Sequence, residues 1–123
     1  MDRKILVADD DDQIIQVVSR VLSGYRLITA KDGDSALALA VSERPDILLL
    51  DVAMPGLDGL GVLQKLAALP KRPLVIMITG DETIGTISTA MGMGVFSYIT
   101  KPFEGEEILS QVKLAAAFLD KAE

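Results

Sequence analysis

Five side chains in this sequence could do chemistry together: Asp9, Asp10, Asp51, Thr79 and Lys101. Each stands where an apolar run ends. Lys4-Ile5-Leu6-Val7-Ala8 leads into the acidic pair, Ile47-Leu48-Leu49-Leu50 into Asp51, Leu74-Val75-Ile76-Met77-Ile78 into Thr79, and Val95-Phe96-Ser97-Tyr98-Ile99 through Thr100 into Lys101. Three carboxylates held close together raise one another's pKa and resist ionisation unless a cation joins them. Mg²⁺ suits such a set, because it takes oxygen ligands, keeps several waters and uses one or two carboxylates plus a phosphate. A lysine and a threonine on the far side of the metal would face phosphoryl oxygens, one as a point charge and one as a hydrogen-bond donor. Transfer of a phosphoryl group needs little beyond positioning and charge neutralisation, and this set supplies both.

Taken singly, each residue has a plainer reading. Asp51 could cap the turn before Pro55-Gly56, Thr79 could simply favour extended backbone, and Lys101 could be a surface lysine. Tyr98 could be a half-buried edge aromatic, and Met91 and Met93 fit core filler better than a partner surface. Composition narrows the field. The 123 residues suffice for one domain with a real core. With no cysteine and no histidine, thiolate, imidazole and disulfide chemistry are excluded, leaving carboxylate, hydroxyl and amine groups and a hard, oxygen-bound metal. A formal charge of −6 argues against direct nucleic-acid binding, which relies on Lys and Arg. No apolar stretch is long enough to span a bilayer and the amino terminus has no signal-peptide pattern, so a cytoplasmic location without membrane contact is the default expectation.

The elements that must carry these residues follow from punctuation and periodicity. After the first strand, Ile14, Val18, Val21 and Leu22 recur at helical spacing behind an N-cap at Asp11 or Asp12, and Ser23-Gly24 closes the helix. Tyr25 to Ala30 is a mixed, edge-like strand. Asp32-Gly33 turns into a helix that directs Ala36, Leu37, Ala40 and Val41 inward and stops at Pro45. A third helix starts near Leu57-Asp58, presents Leu60, Leu63 and Ala67, and ends at Pro70 and Pro73. From Glu82 to Met91 the β-branched residues Thr83, Ile84, Thr86, Ile87 and Thr89, interrupted by Gly85, make a helix of low intrinsic stability. The last helix runs from Glu104 to about Asp120, with acids first and Lys121 near its end, as the helix dipole prefers. Five strands alternating with five helices, the first, third and fourth strands continuously apolar and the second and fifth mixed, predict an α/β doubly wound, flavodoxin-like (βα)5 fold with a parallel sheet of order 2-1-3-4-5.

Taken together, Asp9-Asp10, Leu48-Leu49-Leu50-Asp51-Val52-Ala53-Met54-Pro55-Gly56, Ile78-Thr79-Gly80 and Tyr98-Ile99-Thr100-Lys101-Pro102-Phe103 resemble the receiver domain of bacterial two-component response regulators, over essentially the whole chain, residues 1–123. The resemblance implies that Asp51 takes a phosphoryl group from the phosphohistidine of a sensor histidine kinase or phosphotransfer protein. It implies Mg²⁺ bound by Asp10, Asp51 and the backbone carbonyl of Ala53, with Asp9 acting through a water. Lys101 would pair with the phosphoryl group, and the Lys101-Pro102 peptide would be cis. Thr79 and Tyr98 would be the switch, biasing the face made by the fourth helix, fifth strand and fifth helix toward an output domain or protein partner; dimerisation on phosphorylation is left open. Such a domain is a phosphoacceptor acting only on itself, not an enzyme with a separate substrate.

Two departures from the family pattern matter. Ala53 offers no side chain to govern hydrolysis of the acyl phosphate, leaving Asp81 as an influence on the attacking water, and Ser97 stands where an acid is frequent. Two rival readings are an unphosphorylated receiver-like interaction module and a Mg²⁺-dependent phosphohydrolase that forms an aspartyl phosphate. The first has no use for three repelling carboxylates. The second expects an aspartate where this chain has Ala53, and has no room here for a substrate cap.

Overall fold

A computed structural model describes residues 3–80 and 84–122. Its elements alternate as β1 (Lys4–Ala8), α1 (Asp12–Val21), β2 (Arg26–Ala30), α2 (Gly33–Glu43), β3 (Ile47–Asp51), α3 (Gly59–Leu66), β4 (Leu74–Thr79), α4 (Ile84–Gly92), β5 (Ser97–Thr100) and α5 (Gly105–Ala122). The strands form one parallel sheet of order β2-β1-β3-β4-β5, as the apolar runs predict.

The continuous apolar runs are explained by burial on both faces. Side chains alternate across a strand, and each face of this sheet is covered. Leu6, Ala8, Leu48, Leu50, Val75 and Met77 pack with Ala36, Ala40, Val62, Leu63 and Leu66 of α2 and α3 and with Ala90 of α4. The alternate row, Ile5, Val7, Ile47, Leu49, Ile76, Ile78 and Ile99, packs with Val18 and Leu22 of the α1 segment and with Ile108, Val112 and Ala115 of α5.

Side chains begin several helices. Asp11 accepts from the Gln13 amide at 2.9 Å, Asp32 from Ser35 at 2.7 Å and Asp58 from Gly61 at 2.8 Å, each satisfying a donor that the first helical turn leaves open. At α5 the Glu107 carboxylate reaches back to the Glu104 amide at 3.0 Å. At the opposite end of the sheet from the acidic residues, buried Arg3 pairs with Asp46 before β3 and with Asp120 late in α5.

Three expectations need correction. Val41 is exposed, because it lies about 100° around α2 from Ala40, outside the buried Ala36–Ala40 stripe. Met91 stands in the same relation to buried Ala90 and is 46% exposed, while Met93 packs against the core as expected. The third helix ends at Leu66, well before Pro70, as Ala68 and Leu69 donate to Lys65 and Leu66 in tighter turns. Ala67 is therefore an exposed cap, and Val62 and Leu66 join Leu63 in the packing.

Candidate functional site

Asp9 and Asp51 continue the α1/α5-facing rows Ile5-Val7 and Ile47-Leu49, and Lys101 continues the row of Ile99. Because Ala8 pairs with Leu50, and Asp51 and Ile99 both pair with Ile78, the β1 and β3 rows run out side by side and the β5 row runs out level with them across β4. Strand parity alone therefore aims two carboxylates and an amine at one spot beyond the sheet.

The geometry fulfils this. Asp9 is fully buried; its Oδ1 accepts from the Asp11 amide at 2.9 Å, leaving Oδ2 to meet Lys101 Nζ at 3.1 Å. Asp51 is 3% exposed, its Oδ1 accepting from the Ala53 amide at 3.3 Å and its Oδ2 lying 3.4 Å from the same Nζ. Asp10 is exposed, yet one oxygen from each of Asp9, Asp10 and Asp51 lies within 4.8 Å of the others. Thr79 is buried at the end of β4, one residue beyond Ile78, the partner of Asp51, and its carbonyl accepts from the Lys101 amide at 2.8 Å. The Lys101-Pro102 peptide is cis. Tyr98 points outward and is 42% exposed. Ser97 Oγ is buried with no hydrogen-bond partner among the described residues. Asp81 lies outside the described residues.

Electrostatics follow the packing. Burial, then the charge of Asp9, push Asp51 up to about 6, against the pull of Lys101 and the Ala53 amide. For Lys101 burial disfavours the charged form, but Asp51 and Asp9 outweigh it and hold the amine above its usual value. Three carboxylates against one ammonium leave two formal negative charges, and the donors are all hard oxygens. That donor set and that charge fit a divalent cation such as Mg²⁺.

Asp9, Asp10, Asp51, Thr79 and Lys101 thus lie at one rim, while Tyr98 is exposed on β5. Sequence reasoning did not foresee that Lys101 bridges Asp9 as well as Asp51. Parity and the expected strand order place the three on one face, but neither tells how far Lys101 reaches past β4 and β3 toward Asp9.

Comparison with known proteins agrees. The family described as "Response regulator receiver domain" matches residues 5–113. The "Alkaline phosphatase synthesis transcriptional regulatory protein PhoP" of Bacillus subtilis (strain 168) is 37% identical over 115 residues, 92% of this chain and 48% of that protein. The chain spans about half the length of such relatives. A structure described as "BeF3 Activated DrrB Receiver Domain" superposes with a TM-score of 0.86 at 29% identity, covering 95% of this chain and 99% of that one. A CheY-like response regulator receiver domain protein from Methanospirillum hungatei JF-1 superposes with a TM-score of 0.93 at 25% identity over 100% of both chains. The chain belongs to the response regulator receiver domain family, the phosphorylation-dependent signalling domains of two-component systems.

Proposed function

We propose that Asp51 is the phosphoacceptor and that residues 1–123 act as one receiver unit. The observation that carries this reading is the convergence on Asp51: it is a buried carboxylate with Lys101 Nζ at 3.4 Å and oxygens of Asp9 and Asp10 within 4.8 Å. An ionised Asp51 oxygen attacks the phosphorus of a phosphohistidine on a sensor histidine kinase or phosphotransfer protein. The P–O bond forms as the P–N bond breaks, and the leaving imidazole keeps the electron pair and takes a proton from solvent. Lys101 holds the phosphoryl oxygens as a fixed positive charge, and its bond to Asp9 keeps the amine aimed at the acceptor. Asp9, Asp10, Asp51 and the Ala53 carbonyl would hold Mg²⁺, which would supply the remaining charge neutralisation.

Thr79 then turns its hydroxyl to the new phosphoryl group, and Tyr98, outward in this conformation, turns inward behind it. The α4-β5-α5 face changes shape for an output domain or protein partner. The chain acts only on its own carboxylate, in the cytoplasm, with no direct nucleic-acid contact of its own.

Intact mass after incubation with a small acyl phosphate tests the assignment. One Mg²⁺-dependent phosphoryl adduct in the native chain, absent from Asp51→Asn, is expected; an adduct that persists in Asp51→Asn would move the acceptor elsewhere.

A further inference from the structure

The segment that follows Asp51 is held at both ends by glycines that are not needed for their own backbone angles. Among the described glycines only Gly56, at φ 72°, and Gly94, at φ 86°, are left-handed. Gly33 and Gly59 are buried in ordinary conformations, and what they lack is room. A Cβ on Gly59 would stand 2.3 Å from the Asp51 carbonyl oxygen, 2.8 Å from Val52 Cα and 3.1 Å from the Asp51 carbonyl carbon. A Cβ on Gly33 would stand 1.7 Å from the Leu57 carbonyl oxygen and 2.6 Å from its carbon. These obstacles are main chain and cannot rotate away. Gly61 differs, since its Cβ would meet mainly the Leu57 side chain, at 2.5 Å.

Each of the two glycines opens a helix, Gly33 opening α2 and Gly59 opening α3. Gly59 also donates its amide to the Val52 carbonyl at 2.8 Å. The stretch from Asp51 to Leu57 is thus pinned between two helix starts, one against the acceptor's own peptide and one against Leu57. We propose that Gly59 and Gly33 are positioning residues for the phosphoryl-transfer site, fixing the height of the Asp51–Leu57 segment and with it the Ala53 carbonyl relative to Asp9 and Asp10. This inference rests on the site reading above. Mg²⁺ demands near-ideal octahedral distances, so small displacements of one ligand are costly. To relieve a Gly59→Ala contact, the Asp51 carbonyl and α3 must part by about 0.7 Å or more to reach even 3.0 Å, and misplacements of about 1 Å can cost on the order of a hundredfold in rate.

The test compares Gly59→Ala, Gly33→Ala and Gly61→Ala with Val112→Ala, a change in the α5 core remote from the site. Mg²⁺ affinity is read by amide chemical shifts without any phosphodonor, labelling rate by intact mass at saturating Mg²⁺, and stability by urea unfolding. Gly59→Ala is expected to weaken Mg²⁺ binding and slow labelling by tenfold or more. Gly33→Ala should shift both the same way by less, while Gly61→Ala and Val112→Ala keep native affinity, the last despite its lost stability. Where either variant is unfolded in dilute buffer, its Mg²⁺ affinity and labelling rate are read beside the native chain in a stabilising osmolyte that restores the fold. Native Mg²⁺ affinity and labelling rate in whichever of the two folds would overturn the proposal. Native chain that takes no label, or label surviving Asp51→Asn, would instead overturn the site reading beneath it.

Discussion

At the scale of single residues, Asp51 sets function against stability. Its carboxyl is raised from 3.8 to about 6 in the folded chain, so the folded state holds its proton more tightly than the unfolded state does. That contribution to stability is complete below about 3.8 and is lost as the pH rises through about 6. Ionised Asp51 therefore burdens the metal-free fold by on the order of 3 kcal/mol at pH 8. Asp51→Asn removes the charge with little change of shape. In EDTA at pH 8 its urea midpoint should exceed that of the native chain, the difference shrinking toward pH 4; equal midpoints at pH 8 would contradict the electrostatic account. Mg²⁺ should close the gap from the other side, stabilising the native chain by about 2.7 kcal/mol at a hundredfold excess over its dissociation constant and Asp51→Asn far less. Asp51, the acidic pair, Thr79 and Lys101 were legible in the sequence as candidates because each ends an apolar run. The Lys101–Asp9 contact was hidden because β5 and β1 are not neighbours, and the lysine must reach past β4 and β3 to make it.

At the scale of elements, local chemistry that satisfies the backbone was legible and side-chain direction was less so. Helix starts were read at Asp32-Gly33 and near Leu57-Asp58, and Asp32 and Asp58 each accept a first-turn amide in the structure, as a capping aspartate does. Asp58→Ala should cost about 1 kcal/mol in urea unfolding, the usual loss of a cap. Val41 and Met91 were misplaced because a residue adjacent to a buried one is turned about 100° away, and a short helix rich in alanine or glycine gives little pattern to phase it. The weak composition of α4 finds a counterpart in its end. Arg72 donates to the Met93 carbonyl at 3.0 Å, tying the turn after α4 to the loop before β4. Removing this guanidinium in Arg72→Ala should raise hydrogen exchange across α4 by about tenfold, corresponding to about 1.4 kcal/mol, while α5 stays protected. Unchanged exchange in α4 would mean that packing of Ala90 and Met93 alone holds the helix.

At the scale of the whole molecule, the two ends of the sheet have divided tasks. The carboxyl ends of β1 and β3 gather repelling acids, whereas before their amino ends Arg3 and Asp46 form a paired network. The strands between them are five residues long, about 17 Å. Asp46 accepts from the Lys4 amide at 3.0 Å and from Arg3 at 3.4 Å, and Arg3 also binds Asp120, which lies 117 residues along the chain. Nothing near Arg3 in the sequence marks this role, since an arginine beside a chain start is ordinarily solvated. Its side chain is only 8% exposed, so its charge depends on these partners, whereas Asp120 is 41% exposed and can fall back on water. Arg3→Met should therefore cost about 2–3 kcal/mol, somewhat under the full loss for a buried pair because Asp46 and Asp120 are partly hydrated. Asp120→Asn should cost under about 1 kcal/mol. Both variants should keep the native labelling rate at Asp51 when fully folded. A slowed rate in folded Arg3→Met would show that the amino-end network also holds Asp51 in place, and that the division between the two ends is not complete.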